Sequence, residues 1–86
     1  MITTLQLLDE LKRVRKLPSD YAAAKYLGIS QQAVSKWRTG SPMGEDMAEK
    51  IAFDLELDID IVMLSNMAER RKHKREEFKK SSSDAA

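Results

Sequence analysis

Punctuation constrains this chain more than any other feature: Pro18, Gly28 and the Gly40–Ser41–Pro42 turn cut its first half into short stretches, each apolar at helical steps. Leu7, Leu11 and Val14, with Leu5 and Leu8 beside them, recur every three or four residues, and Asp9, Glu10, Lys12, Arg13, Arg15 and Lys16 fill the other positions. Thr3 followed by Gln6 fits a capping box, and Pro18 disfavours helical geometry at Leu17, so a first helix is expected over 4–16. Ser19 or Asp20 caps a second over 20–27, which Gly28 ends because glycine tolerates the left-handed conformation of a tight turn. Ser30 is the N-cap of a third, starting at Gln31 and stopping before Gly40.

The second half continues the pattern. Glu45 and Asp46 suit the positive end of a fourth helix with Met47, Ile51 and Leu55 as its stripe and Ala48 and Ala52 alongside. A fifth, capped by Asp58 or Asp60, is expected to turn Ile61, Leu64 and Ala68 inward, with Met63 and Met67 as filler. From Asp54 to Ile61 polar and apolar residues alternate with the period of a strand, but no second such run exists to pair with it. The expectation is an all-α, compact five-helix domain over 1–68. A charged helical extension follows from residue 69, ending in a disordered tail, SSSDAA.

Composition narrows the function classes. The 86 residues suffice for one small core, with 42% apolar and 34% charged residues. The absence of cysteine removes disulfides, thiol chemistry and cysteine-ligated zinc and fits a reducing cytoplasm. The longest apolar run, Ile61 to Leu64, is far too short for a membrane span, and acids in MITTLQLLDEL argue against a secretory signal, so a cytoplasmic protein with no membrane partner is expected. The net charge of +1 conceals segregation: +4 over residues 1–40, −6 over 41–68 and +3 over 69–86. No acid lies between Asp20 and Glu45, where Lys25, Lys36 and Arg38 fall, and such a stretch can face a polyanion.

The most informative segment is DYAAAKYLGISQQAVSKWRT, residues 20–39. Small Ala24 precedes Gly28 by four residues, Val34 follows it by six and Trp37 by nine. Two helices crossing closely need a small residue at the contact, a positive-φ residue at the turn and shared core residues, here Leu27, Ile29, Val34 and Trp37. That is a helix-turn-helix pattern. On these residues the chain resembles the Cro and phage-repressor (XRE-like, lambda-repressor-like) helix-turn-helix domain, a five-helix family whose second and third helices form the DNA-binding unit. The resemblance covers roughly residues 4–68, and SQQAVSKWRTG is similar to the family's recognition helix and following turn. Asp20 departs from it, standing where many members carry a phosphate-touching glutamine.

The resemblance implies that Ser30, Gln31, Gln32, Ser35 and Lys36 face the bases of a double-stranded operator. Their chemistry suits this independently, since a glutamine amide matches the N6 and N7 edge of adenine and lysine suits guanine or a phosphate. Ser19, Lys25, Arg38 and Thr39 are the expected phosphate contacts. The competing reading of the same residues is an ordinary solvated helix face. The implied protein is a transcriptional repressor of the phage or mobile-element kind, a homodimer on an inverted repeat with half-site centres about 34 Å apart. Helix 5 is the expected pairing surface. Alternatives are an antitoxin-like regulator whose C-terminal tail holds a protein partner, or an adaptor that keeps the helix-turn-helix as scaffold. No cofactor, metal or catalytic residue is expected: His73 sits among charges, and Asp54, Glu56, Asp58 and Asp60 lack the glycine of an EF-hand loop.

Overall fold

A computed structural model describes residues Met1–Ala85, with side chains through Lys80. Five helices follow one another: α1 Thr4–Val14, α2 Asp20–Leu27, α3 Gln31–Arg38, α4 Glu45–Asp54 and α5 Ile59–Ala85. Among the described residues there is no strand, and the alternating segment at 54–61 straddles the α4–α5 joint. The expected extension is helical because α5 is a single helix, about 40 Å long at 1.5 Å per residue. It sets the 48 Å long dimension of the molecule. α5 runs through Ala85, so residues 81–85 of SSSDAA continue the helix in place of the expected disordered tail, and Ala86 lies outside the described residues.

The caps operate as the sequence implies. Thr3 and Gln6 form a reciprocal capping box on α1, Ser19 Oγ accepts from Ala22 N–H at 3.1 Å, and Ser30 Oγ accepts from Ala33 N–H at 3.2 Å. The first helix ends two residues before the predicted boundary. Lys16 takes φ +55°, and Leu17 N–H donates back to Lys12 O at 2.9 Å, a Schellman closure without glycine. Glu56 repeats it after α4, with Leu57 N–H donating to Ala52 O at 2.9 Å. After α2 the same closure uses Gly28, φ +72°, with Ile29 N–H donating to Ala24 O at 3.0 Å.

The core gathers Leu7, Leu8 and Leu11 of α1 with Ala23, Ala24 and Leu27 of α2 and Val34 and Trp37 of α3. Met43, Ala48, Ile51 and Ala52, with Val62 of α5, complete it. On α5 the structure corrects the expected stripe. Ile61 and Leu64 are exposed at 53% and 61%, and the inward face is Val62, Ser65, Asn66 and Glu69. The cause is polar. The start of α1 and the segment before α4 bring unpartnered backbone groups into the interior, and such groups must be hydrogen-bonded there.

α5 supplies those partners. Glu69 accepts from Thr4 N–H at 3.0 and 3.2 Å and from Thr4 Oγ1–H at 2.6 Å, and Thr4 Oγ1 in turn accepts from Met43 N–H at 3.0 Å. Asn66 Nδ2 donates to Met43 O at 2.9 Å, and Ser65 Oγ accepts from Ile2 N–H at 3.2 Å. Arg70 Nε then holds Asn66 Oδ1 at 2.9 Å. A carboxylate on the first free amides of α1 is also favoured by that helix's dipole.

Thr4→Val keeps the shape of this fully buried side chain but strands Met43 N–H and leaves Glu69 with the Thr4 amide alone. It is expected to lower unfolding free energy by about 1–3 kcal/mol in urea titration. Gly28→Ala meets no atom within 4 Å, so its cost is conformational alone, about 1–2 kcal/mol. A loss below about 0.5 kcal/mol for Thr4→Val would show that the network contributes little.

Candidate nucleic-acid interface

The α2–α3 pair is built from its buried side outward. Ala23, Ala24 and Leu27 face Val34 and Trp37, which bury to 0% and 7% exposure, so the inward stripe of α3 is fixed and its opposite face is free. That opposite face carries Gln31, Gln32, Ser35 and Lys36, all exposed, and none of their side chains bonds within the protein among the described residues. Ser30 lies at the same end, its hydroxyl accepting the capping amide and keeping its own hydrogen to donate. All five residues expected to read bases therefore share one surface. Trp37, which also invites a stacking reading, is core.

The expected phosphate contacts divide. Ser19 caps α2 and is exposed, and Lys25 is exposed on the same helix with no ion pair among the described residues. Thr39 Oγ1 donates to Lys36 O at 2.9 Å, closing the last turn of α3. Arg38 is engaged elsewhere. Its Nε and Nη2 donate to both oxygens of Asp20 at 2.9 Å, and Nη2 also donates to Asp9 of α1 at 2.9 Å. Lys12 Nζ reaches the same Asp20 oxygen at 2.9 Å. Arg38 is thus bound to two carboxylates and ties the end of α3 to α1 and to the start of α2.

This cluster explains the acid at position 20 and amends the basic stretch read from the sequence. Asp20, placed between Arg38 and Lys12, is held well below its ordinary value of 3.8, first by the Arg38 hydrogen bonds and then by that of Lys12. The Arg38 guanidinium is raised in turn by Asp20 and then Asp9. The bases left without partners on this side are Lys25 and Lys36, counted among the described residues. Asp9, sitting 29 residues before Arg38, is the contributor that sequence reading missed. Nothing local to Asp9 signals this partner, since the fold alone brings α1 against the end of α3.

A second ionic lock lies behind α2. Arg15 donates to Asp54 Oδ1 at 2.6 Å and to Asp54 O at 2.8 Å, and Tyr26 Oη donates to Asp54 Oδ2 at 2.7 Å. Asp54 is lowered by the Tyr26 hydroxyl and then by Arg15, and Tyr26 is raised by its bond to Asp54. Lys50 Nζ caps the end of α2 at Leu27 O, 3.1 Å. Asp54 and Asp58, two acids of the calcium-like run, therefore have structural duties, Asp58 Oδ1 accepting from Ile61 N–H at 3.0 Å.

Because Asp20 titrates lower in the folded than in the unfolded chain, it adds stability above its ordinary value that is lost as pH falls below about 4. Asp20→Asn is expected to cost about 1 kcal/mol or less at pH 7, the side chain being 35% exposed. The gap between the two proteins should narrow as the pH of the urea titration drops from 5 to 2. A gap that widens instead would contradict the assigned ion pairs. No family model, curated protein or solved structure matches this chain.

Proposed function

We propose that this protein is a sequence-specific double-stranded DNA-binding regulator of transcription, a repressor that occupies an operator and excludes polymerase. The observation that supports it is the outer face of α3: Gln31, Gln32, Ser35 and Lys36, exposed and without side-chain partners among the described residues, beside the capping Ser30 and backed by a buried Val34–Trp37 stripe. In this reading Gln31 and Gln32 pair with adenine edges, Lys36 with guanine or a nearby phosphate, and Ser30 and Ser35 make shorter contacts. Ser19 and Lys25, and Thr39 once its hydroxyl turns from Lys36 O, supply phosphate contacts that fix register. Arg38 acts mainly as a strut, since a guanidinium shared by Asp20 and Asp9 presents little net charge to a phosphate. One such helix spans only a few base pairs, so a homodimer on an inverted repeat follows.

Selecting bound duplexes from a random pool gives the operator. On that site Gln31→Ala should lose about 1–3 kcal/mol while binding to random duplex is unchanged. Lys25→Ala should weaken both alike and lower the slope of log K against log salt by about 1. Asp20→Asn should leave Arg38 paired with Asp9 alone, uncover part of its charge and steepen the same slope. Equal losses on both duplexes for Gln31→Ala would remove base reading from that residue, and absence of duplex binding at low salt would leave the adaptor reading in its place.

A further inference from the structure

The rotation of α5 leaves a face that nothing covers among the described residues. Opposite the inward Val62, Ser65, Asn66 and Glu69 lie Leu64, Arg71, Arg75 and Phe78, with Ile61 and Met67 on the flanks. Leu64 is 61% exposed and Phe78 73%, and Phe78 stands in an open apolar recess framed by Arg71, Lys74, Arg75 and Lys79. Positions 61, 64, 68, 71, 75 and 78 alternate steps of three and four, the spacing of a helix-pairing seam. Small, half-buried Ala68 sits in its middle. Along the same helix the charge reverses: Glu56, Asp58 and Asp60 flank its start, whereas Arg70 to Lys80 carries seven bases and two acids.

We infer that the occupant of this face is a second copy of the chain, its α5 running antiparallel to the first. A two-fold axis near residues 69 and 70 sets Ile61 against Phe78, Leu64 against Arg75 and Ala68 against Arg71. The arginine stems lie over apolar neighbours while their heads reach outward. The basic end of each helix then meets the acidic start of the other, with Arg75 within reach of the second copy's Asp60. Neither residue has an ion pair in its own chain among the described residues. A parallel pair would instead stack Arg71, Lys74, Arg75 and Lys79 against their own copies, which repel. The seam runs for roughly 26 Å at 1.5 Å per residue, and the globular bodies lie on the outer sides, away from the contact. An isologous pair of this kind closes on itself and does not polymerise. The inference supplies the dimer that inverted-repeat binding needs, but it is measured on the free protein, so either can fail alone.

Light scattering on the eluting full chain should give twice the 9.8 kDa monomer mass at micromolar concentration, with weaker pairing in high salt. Asp60→Arg and Arg75→Glu should each weaken pairing about tenfold or more, and the double swap should recover it, all three keeping the helical circular dichroism of the parent. Because the chain has no cysteine, introduced thiols report geometry directly. Leu64→Cys with Arg75→Cys should cross-link between copies under mild oxidation. Leu64→Cys alone should not, since the two sites lie about 16 Å apart along an antiparallel pair. A monomer at every concentration, no recovery in the double swap, or ready cross-linking of Leu64→Cys alone would overturn the proposal. Monomeric Arg75→Glu protein that still prefers the selected half-site would separate this failure from that of the DNA reading.

Discussion

Thr4 and Glu69 form the contact on which the rest of the molecule turns. Chain ends and helix starts bring amides into the interior, and burying an amide without a partner costs more than most apolar contacts return. Here Glu69 takes the first amide of α1 together with the Thr4 hydroxyl, and Thr4 takes the amide of Met43. The last helix must therefore turn Ser65, Asn66 and Glu69 inward, and Ile61 and Leu64 are carried outward as a result. A polar requirement at one end of the fold decides which hydrophobic surface is left at the other.

That order of priority marks where the sequence was legible and where it was not. α2 and the start of α3 were readable because Ser19, Gly28 and Ser30 each do one local job that their chemistry announces, and Gly40 marked the turn after Arg38. The Ala24–Gly28–Val34–Trp37 spacing likewise predicted the buried side of the pair, and hence the exposed row from Gln31 to Lys36. α1 ends short of the expected boundary because Lys16 adopts a left-handed conformation that its side chain does not advertise. α5 differs from expectation for another reason. Periodicity counts apolar residues, and the inward face of this helix is mostly polar, selected by backbone groups more than 20 residues away in sequence.

Electrostatics shows the same limit at the candidate site. Lys25, Lys36 and Arg38 look equivalent in a run without acids, yet only position in space separates them. Arg38 lies where α1 and α2 converge and is claimed by Asp9 and Asp20, while the two lysines remain in water. A local charge count thus overstates the positive field of the α2–α3 surface. The acid at position 20 makes sense as the anchor of a three-helix junction.

The outer row of α3 holds nothing together. The side chains of Gln31, Gln32, Ser35 and Lys36 have no partner among the described residues, and the helix is secured by its cap, its buried stripe and the Arg38 junction. Those four positions can be rewritten with little penalty to the scaffold, whereas a change at Asp9 or Asp20 removes a partner of Arg38 and loosens the junction that holds the end of α3. Whatever the row recognises, its specificity is free to drift while the architecture stays still.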